Sequence, residues 1–588
     1  MQKVSQLPYQ RVSMEAFAQE IQGIITQVKE ASSAQAVMAA RDQCNQLVIR
    51  WQTAEALSYM RYSINTADPF YLAEKDYYDE VGPQAQNYLL EYTKAMLATP
   101  FRQELEESGA IIPLVFRSFE VELKSISPEI IEDMVEENRV VSQYSQLMAG
   151  MEFEFRGEKL PRPMLMKYAK SPDRATRKEA YEVLGRTLQA HSDQLDGLFD
   201  QLVHIRDRMA KKLGYQNFVE LGYYRMGRLC YGPEEVKQFR ENVRRDIVPL
   251  VAKLRTEVGE RLGVDTLRLY DYDLIFPQGD PVPQGGKEAI FAAAQAMYHD
   301  MSQETGEFID FMLETEAFDV ESRKNKWGGG YCTSFPAYHQ PFILANFNGT
   351  AGDVDVVTHE AGHAFADYKT AENPYVVELG IGGMETAETH SMSMEFFAWP
   401  YMEHFFGDDA QRYRYMHLLD ALSFLPYGTI VDDFSGRSMR TQIGPPRSAR
   451  PLGGPWRRIS VPTLPSTASP IWRRGPAGST RCTSTKPPST ISTTAWPRPQ
   501  RSSSCWSRRK TMTMPSAATS TSSPRAGKRS LRICSRRPAC VPPSRKGRCA
   551  RWPRRAKPFC GNYSPTLRKK HNPSIGTRPL AIRQWPCA

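Results

Sequence analysis

The chain has 588 residues, enough for several domains at roughly 100–200 residues each, and its 41% hydrophobic content permits a large core. No run approaches the roughly 18 uninterrupted apolar residues that a membrane helix needs, and the opening MQKVSQLPYQ has no apolar stretch of the kind a secretory signal carries. The net charge of +9 averages two unlike parts: residues 1–434 carry 42 Lys and Arg against 66 Asp and Glu, whereas residues 435–588 carry 33 Lys and Arg and no acid.

Only Cys44, Cys230 and Cys332 precede the tail, and no CxxC pair offers a cysteine metal site. Scattered cysteines of this kind point to reduced thiols, not to a disulfide framework. The expectation is a soluble, cytoplasmic protein with no membrane partner.

Residues 12–270 read as mostly helical. Met14–Val28, Gln84–Leu97 and Asp193–Leu213 space apolar residues three and four apart. Pro83 stands where a helix start tolerates proline, and Gly214 where a helix stops. Residues 324–350 change texture. Gly328, Gly329 and Gly330 make a flexible turn, Pro336 and Pro341 bar a helix, and Pro341–Phe347 reads as a short apolar strand. That strand is either an ordinary buried strand or one that pairs with an extended peptide through its main chain. The helical period returns at Asp353 and holds to about Leu425. After Phe434 it vanishes into Pro, Ser, Thr and Arg, a composition that buries little apolar surface and predicts disorder.

The chemistry concentrates in VVTHEAGHAFAD, Val356–Asp367. His359 and His363 are four apart, so on a helix both imidazoles leave one face about one turn apart. That spacing lets two nitrogens reach one Zn²⁺ at about 2.0–2.1 Å. Glu360 lies beside such a metal, placed to accept a proton from an activated water. Gly362 costs helix stability, up to about 1 kcal/mol against Ala, and makes sense if something approaches this helix closely. A catalytic zinc needs a third protein ligand. The segment METAETHSMSMEFFAW, Met384–Trp399, supplies Glu388, with Glu385 as the alternative. Glu395, two turns on from Glu388, is placed to hold a motif histidine from behind. His390 points elsewhere on this helix.

HEAGHAFADY followed by ETAETHSMSMEFF resembles the zinc oligopeptidases of peptidase family M3, related to oligoendopeptidase F and thimet oligopeptidase. PFILANFNGTAGDVDVVTHEAGH and MAKKLGYQNFVELGYYRM are similar too, and the likeness runs from near the N-terminus to Phe434. The pattern ExxSxxxE fits Glu388, Ser391 and Glu395. The resemblance implies a mostly α-helical fold around a deep channel that admits short peptides, with a small β element beside the site. It implies one Zn²⁺ per chain held by His359, His363 and Glu388, with Glu360 as general base, and endopeptidase cleavage of oligopeptides. The domain organisation expected is an N-terminal helical region over 1–200, a truncated catalytic region over 201–434 and a disordered basic tail over 435–588.

The resemblance breaks after Phe434, where the family continues with a histidine and a PFYY-like tyrosine cluster expected to bind substrate and stabilise the oxyanion. The genetic code offers an explanation. SMRTQI, 438–443, can be encoded so that the shifted frame reads YENPD, and TSTKPPSTISTT, 483–494, so that the same shift reads IYKAPFYYIDY. Residues 435–588 therefore read as a frameshift product. Two other functions stay open: a catalytically dead zinc or peptide binder, and a nucleic-acid binder whose basic tail neutralises phosphates.

Overall fold

A computed structural model describes residues 2–380 and 383–441 of the chain. The expectations for the tail beyond Thr441 (disorder, a shifted frame, nucleic-acid binding) lie outside the described residues.

The first half is helical: α1 Met14–Lys29, α2 Ala34–Ile64, α3 Pro69–Ala98, α4 Arg102–Glu107, α5 Pro113–Glu122 and α6 Ile131–Gly150. Side chains of Ser13, Ser33 and Asp68 cap the first three by accepting backbone N–H bonds. The apolar stripe of α1, Phe17, Ile21, Ile24, Ile25 and Val28, is buried against α2 and α3, each side chain contributing about 1.5–3 kcal/mol.

Pro83 does not start a helix as its position suggested; it lies inside α3. Proline removes the N–H that would bond the carbonyl of Asp79 four residues back. Asn138 Nδ2 donates to that carbonyl instead at 2.8 Å, so the tertiary structure supplies what the helix lacks.

A hairpin follows, β1 Phe153–Phe155 and β2 Glu158–Leu160. Its two-residue loop, Arg156 and Gly157, has positive φ at both positions, 53° and 87°, as the favoured hairpin turns require. Then come α7 Arg162–Tyr168, α8 Arg174–Ala190, α9 Ser192–Lys212, α10 Phe218–Arg225, α11 Pro233–Asn242, α12 Val248–Arg261, α13 Lys287–Met301 and α14 Gln303–Glu314.

The second sheet is small and mixed. Its strands are β3 Phe318–Glu321, β4 Tyr331–Phe335 and β5 Gln340–Phe347, in the order β3-β5-β4. β5 runs parallel to β3 and antiparallel to β4. The strand read at Pro341–Phe347 is therefore present but central. Both its edges are taken, so it cannot pair with a peptide, and the edge strand on the β4 side is β4 itself. The buried Lys326 holds this corner together, donating to Asp319 Oδ1 at 2.7 Å and to the carbonyls of Asp319 and Glu321 at 2.9 Å. Asn346 Nδ2 pins the glycine turn through the carbonyls of Trp327 and Gly329, at 2.9 and 2.8 Å.

The remaining elements are α15 Gly352–Thr370, α16 Val376–Leu379, α17 Met384–Phe397, α18 Glu403–Phe406 and α19 Ala410–Thr441. The segment around α16 reaches back to the N-terminal helices. Arg41 of α2 bonds Glu378 Oε1 at 2.5 Å and the carbonyl of Pro374 at 2.7 Å, and both charged side chains are buried. Breaking such a pair costs about 3–5 kcal/mol, because one charge is left buried alone. α19 runs past Phe434, where the apolar period fades, to Thr441. Met439 still packs with Leu202, Met209 and Phe218, so packing carries the helix across the weak formers Ser435, Gly436 and Ser438. No helix among the described residues is long and apolar enough to cross a membrane.

Candidate active site

α15 begins where the Asp353 carboxylate collects the N–H groups of Asn348 and Gly349, at 2.9 and 2.8 Å. Its apolar face, Val354, Val357, Ala361 and Ala364, is buried with Tyr298, Phe308, Ile343 and Leu344. Burying that face turns His359 and His363 toward α17, their rings 5.1 Å apart and nearly perpendicular.

The approach of α17 is set by Gly362. A Cβ there would lie 2.6 Å from Ser391 Cα, 2.9 Å from the His390 carbonyl oxygen and 3.0 Å from Met394 Cβ. Only glycine lets the two backbones touch, which answers why a poor helix residue stands inside the motif.

At that contact Glu388 meets the histidines. Its Oε2 is 3.3 Å from His359 Nε2 and 3.7 Å from His363 Nε2. Ligand atoms from these three residues all lie within 4.8 Å of one another. Ser391 Oγ donates to the same Oε2 at 2.9 Å and orients it. Behind His359, Glu395 Oε1 is 2.5 Å from Nδ1. Glu385 is engaged elsewhere, accepting from Arg228 Nε at 2.9 Å and from Tyr231. His390 stays out of the cluster, and its backbone carbonyl is what faces Gly362.

Electrostatics agree with a cation-favouring centre. Burial pushes His359 down, but Glu388 and Glu395 outweigh it and hold the imidazole well above its ordinary value. Burial pushes His363 down to about 4, the neutral form that a metal ligand needs. Burial pushes Glu388 up, yet the close imidazole of His359, with His363 and the Ser391 hydroxyl, brings it below the usual carboxylate range. Glu395 is held down to about 2: burial opposes the shift, and the hydrogen bonds of His359 and His417 overcome it.

The donor set fits a tetrahedral metal. Bonds of about 2.0–2.1 Å at tetrahedral angles place ligand atoms about 3.3–3.4 Å apart, close to the separations of Glu388 Oε2 from the two imidazole nitrogens. His359 Nε2 is buried and, among the described residues, makes no hydrogen bond of its own. Glu360 is buried but outside this triad. A Cβ at Gly330, just before β4, would lie 3.7 Å from its Oε1, so the carboxylate faces the edge strand.

Sequence reading missed His417 of α19. Its Nε2 is 2.5 Å from Glu395 Oε2, and Trp399 Nε1 donates to its Nδ1 at 3.1 Å. No local motif marks it, because the contact is made only by tertiary folding.

A helical fold with a half-buried His-His-Glu cluster and an adjacent buried glutamate defines a metallopeptidase. The comparisons make the family specific. Sequence profiles described as Peptidase M3 N-terminal domain and Peptidase family M3 match residues 4–126 and residues 167–277 and 296–418. A structure of an oligoendopeptidase F is 38% identical, with a TM-score of 0.80, covering 84% of this chain and 87% of its own. PZ peptidase A with an inhibitor is 39% identical at the same TM-score and the same coverage of both chains. An oligoendopeptidase F from Bacillus anthracis is 36% identical, with a TM-score of 0.75, covering 82% of this chain and 88% of its own. Comparison with curated proteins returns no match. The chain belongs to peptidase family M3, and it is a metalloendopeptidase of the oligopeptidase type.

Proposed function

We propose that the metal is a single zinc ion held by His359, His363 and Glu388, that Glu360 is the general base, and that the substrates are short peptides met in the cytoplasm. The observation that carries this reading is the convergence of both histidine Nε2 atoms on one oxygen of Glu388. When bound there, zinc supplies Lewis-acid activation of a water and of the scissile carbonyl. The Glu360 carboxylate takes a proton from the attacking water and returns it to the leaving amine nitrogen. Ser391 and Glu395 keep the ligands from rotating. The edge strand β4, which starts beside Glu360, offers a main chain with which an extended peptide would pair.

We further propose that the chain as written is impaired. The tyrosine cluster expected after Phe434 is absent from its sequence, and each lost oxyanion donor costs about 10²–10³ in kcat. The test of the division of roles is Glu360→Gln. It should keep zinc bound at wild-type stoichiometry and abolish hydrolysis of a quenched fluorescent oligopeptide. Loss of the metal in this variant would make Glu360 a ligand and overturn the assignment.

A further inference from the structure

We propose that Trp399 and His417 are positioning residues that fix which nitrogen of His359 faces the metal, through a hydrogen-bond chain that can run in only one direction. The inference rests on the zinc reading above and extends it outward by two residues.

The chain has four members. Trp399 Nε1 is 3.1 Å from His417 Nδ1. His417 Nε2 is 2.5 Å from Glu395 Oε2. Glu395 Oε1 is 2.5 Å from His359 Nδ1. His359 Nε2 then stands 3.3 Å from Glu388 Oε2. Both histidines are buried, at 6% and 7% exposure, so water does not offer easy alternatives to these bonds.

Direction follows from chemistry. An indole N–H can only donate, so His417 Nδ1 must accept. A neutral imidazole has one donor and one acceptor, so the proton of His417 sits on Nε2 and is donated to Glu395. An ionised carboxylate only accepts, so its other oxygen takes a proton from His359 Nδ1. In the neutral form that metal binding requires, the lone pair of His359 is then on Nε2, on the side of Glu388 and His363. The opposite tautomer of His417 would set two donors face to face at Trp399 and two lone pairs face to face at Glu395.

Packing keeps the ring from turning over. The rings of Phe396, Trp399 and Tyr413 lie 5.2, 5.7 and 5.8 Å from that of His417. Tyr413 is itself tied to Asp355 of α15 by a 2.6 Å bond from its hydroxyl. Glu395 and Asp355, acidic groups beside His417, cannot take over the donor role of the indole. The orientation of a ligand on α15 is in this way set from α19, through Glu395 of α17.

The test uses the full chain. Zinc affinity is measured by chelator competition for wild type, His417→Leu and His417→Gln, with circular dichroism as the check on folding. His417→Leu fills the space but offers no donor, and should weaken zinc binding about 10–100-fold, the usual effect of losing a partner behind a ligand. His417→Gln restores an N–H toward Glu395 and should recover most of that loss. Independently, the ¹⁵N spectrum of histidine-labelled wild type should show the His417 proton on Nε2, and Trp399→Phe should shift that resonance. Wild type that binds no zinc sinks the metal reading and this one together. Wild-type zinc binding combined with equal affinity in His417→Leu, with a Gln variant no better than Leu, or with a proton on His417 Nδ1 sinks this inference alone.

Discussion

Replacing Gly362 by Ala separates the two tasks of α15, being a stable helix and being a metal platform. The new methyl would sit 2.6 Å from Ser391 Cα and 2.9 Å from the His390 oxygen, both backbone atoms that no rotamer change can move. Carbon atoms settle at about 3.5–4.0 Å, so α17 must retreat by about 1 Å. Overpacking of this kind costs about 1–3 kcal/mol, from which up to about 1 kcal/mol of helix propensity is recovered. With that recovery the net loss of stability is modest, about 0–2 kcal/mol. Metal binding should suffer more, since ligand distances tolerate only about 0.2 Å and Glu388 rides on the displaced helix. Urea denaturation and zinc titration of the same protein read the two effects, and affinity should fall roughly tenfold or more, as for other losses of ligand support. Gly197→Ala in α9 is the control, because a Cβ there meets nothing within 4 Å; it should be neutral or stabilising by up to about 1 kcal/mol. Unchanged zinc affinity in Gly362→Ala would refute the claim that close contact of the helices builds the site.

Two further outcomes are expected. Burial holds the Asp353 carboxyl up at about 6, against the opposing bonds from Asn348 and Gly349, whereas the unfolded value is about 3.9. The folded chain thus binds more protons between these values, and the contribution of Asp353 is fully present below about pH 4 and lost as pH rises through 6. Asp353→Asn should cost less at pH 8 than at pH 4.5, by on the order of 2 kcal/mol, in denaturation curves at the two pH values; an equal cost at both would remove the shift. Restoring the reading frame after Phe434 should raise turnover of a quenched fluorescent oligopeptide at equal bound zinc, and equal turnover by both chains would show that the segment is dispensable.

The site was more legible than its surroundings, for a physical reason. His359, Glu360, His363 and Gly362 belong to one helix, where spacing alone dictates which side chains share a face. Glu388 and Glu395 follow the same rule on a second helix, and the glycine announces that the two helices meet. Whatever depended on partners far along the chain stayed hidden. His417 reaches Glu395 from α19 with no sequence pattern between them. Pro83 looked like a helix start because Asn138, which replaces its missing N–H, is far away in sequence. The strand β5 was found from its apolar run, but its central place was not, because neighbours in a sheet are chosen by tertiary contact. The hairpin at Phe153–Leu160 did carry a local signal, alternating residues around Arg156-Gly157, which the helical texture on either side obscured.

The central claim is that His359, His363 and Glu388 hold one zinc ion, and metal stoichiometry of two glutamate variants tests it most directly. After chelation and zinc titration, wild type and Glu385→Ala should each hold one zinc per chain, because Glu385 spends its carboxylate on Arg228 and Tyr231. Glu388→Ala should hold none at stoichiometric zinc, since two imidazoles alone remain. Stoichiometric zinc in Glu388→Ala, or its loss in Glu385→Ala, would contradict the account.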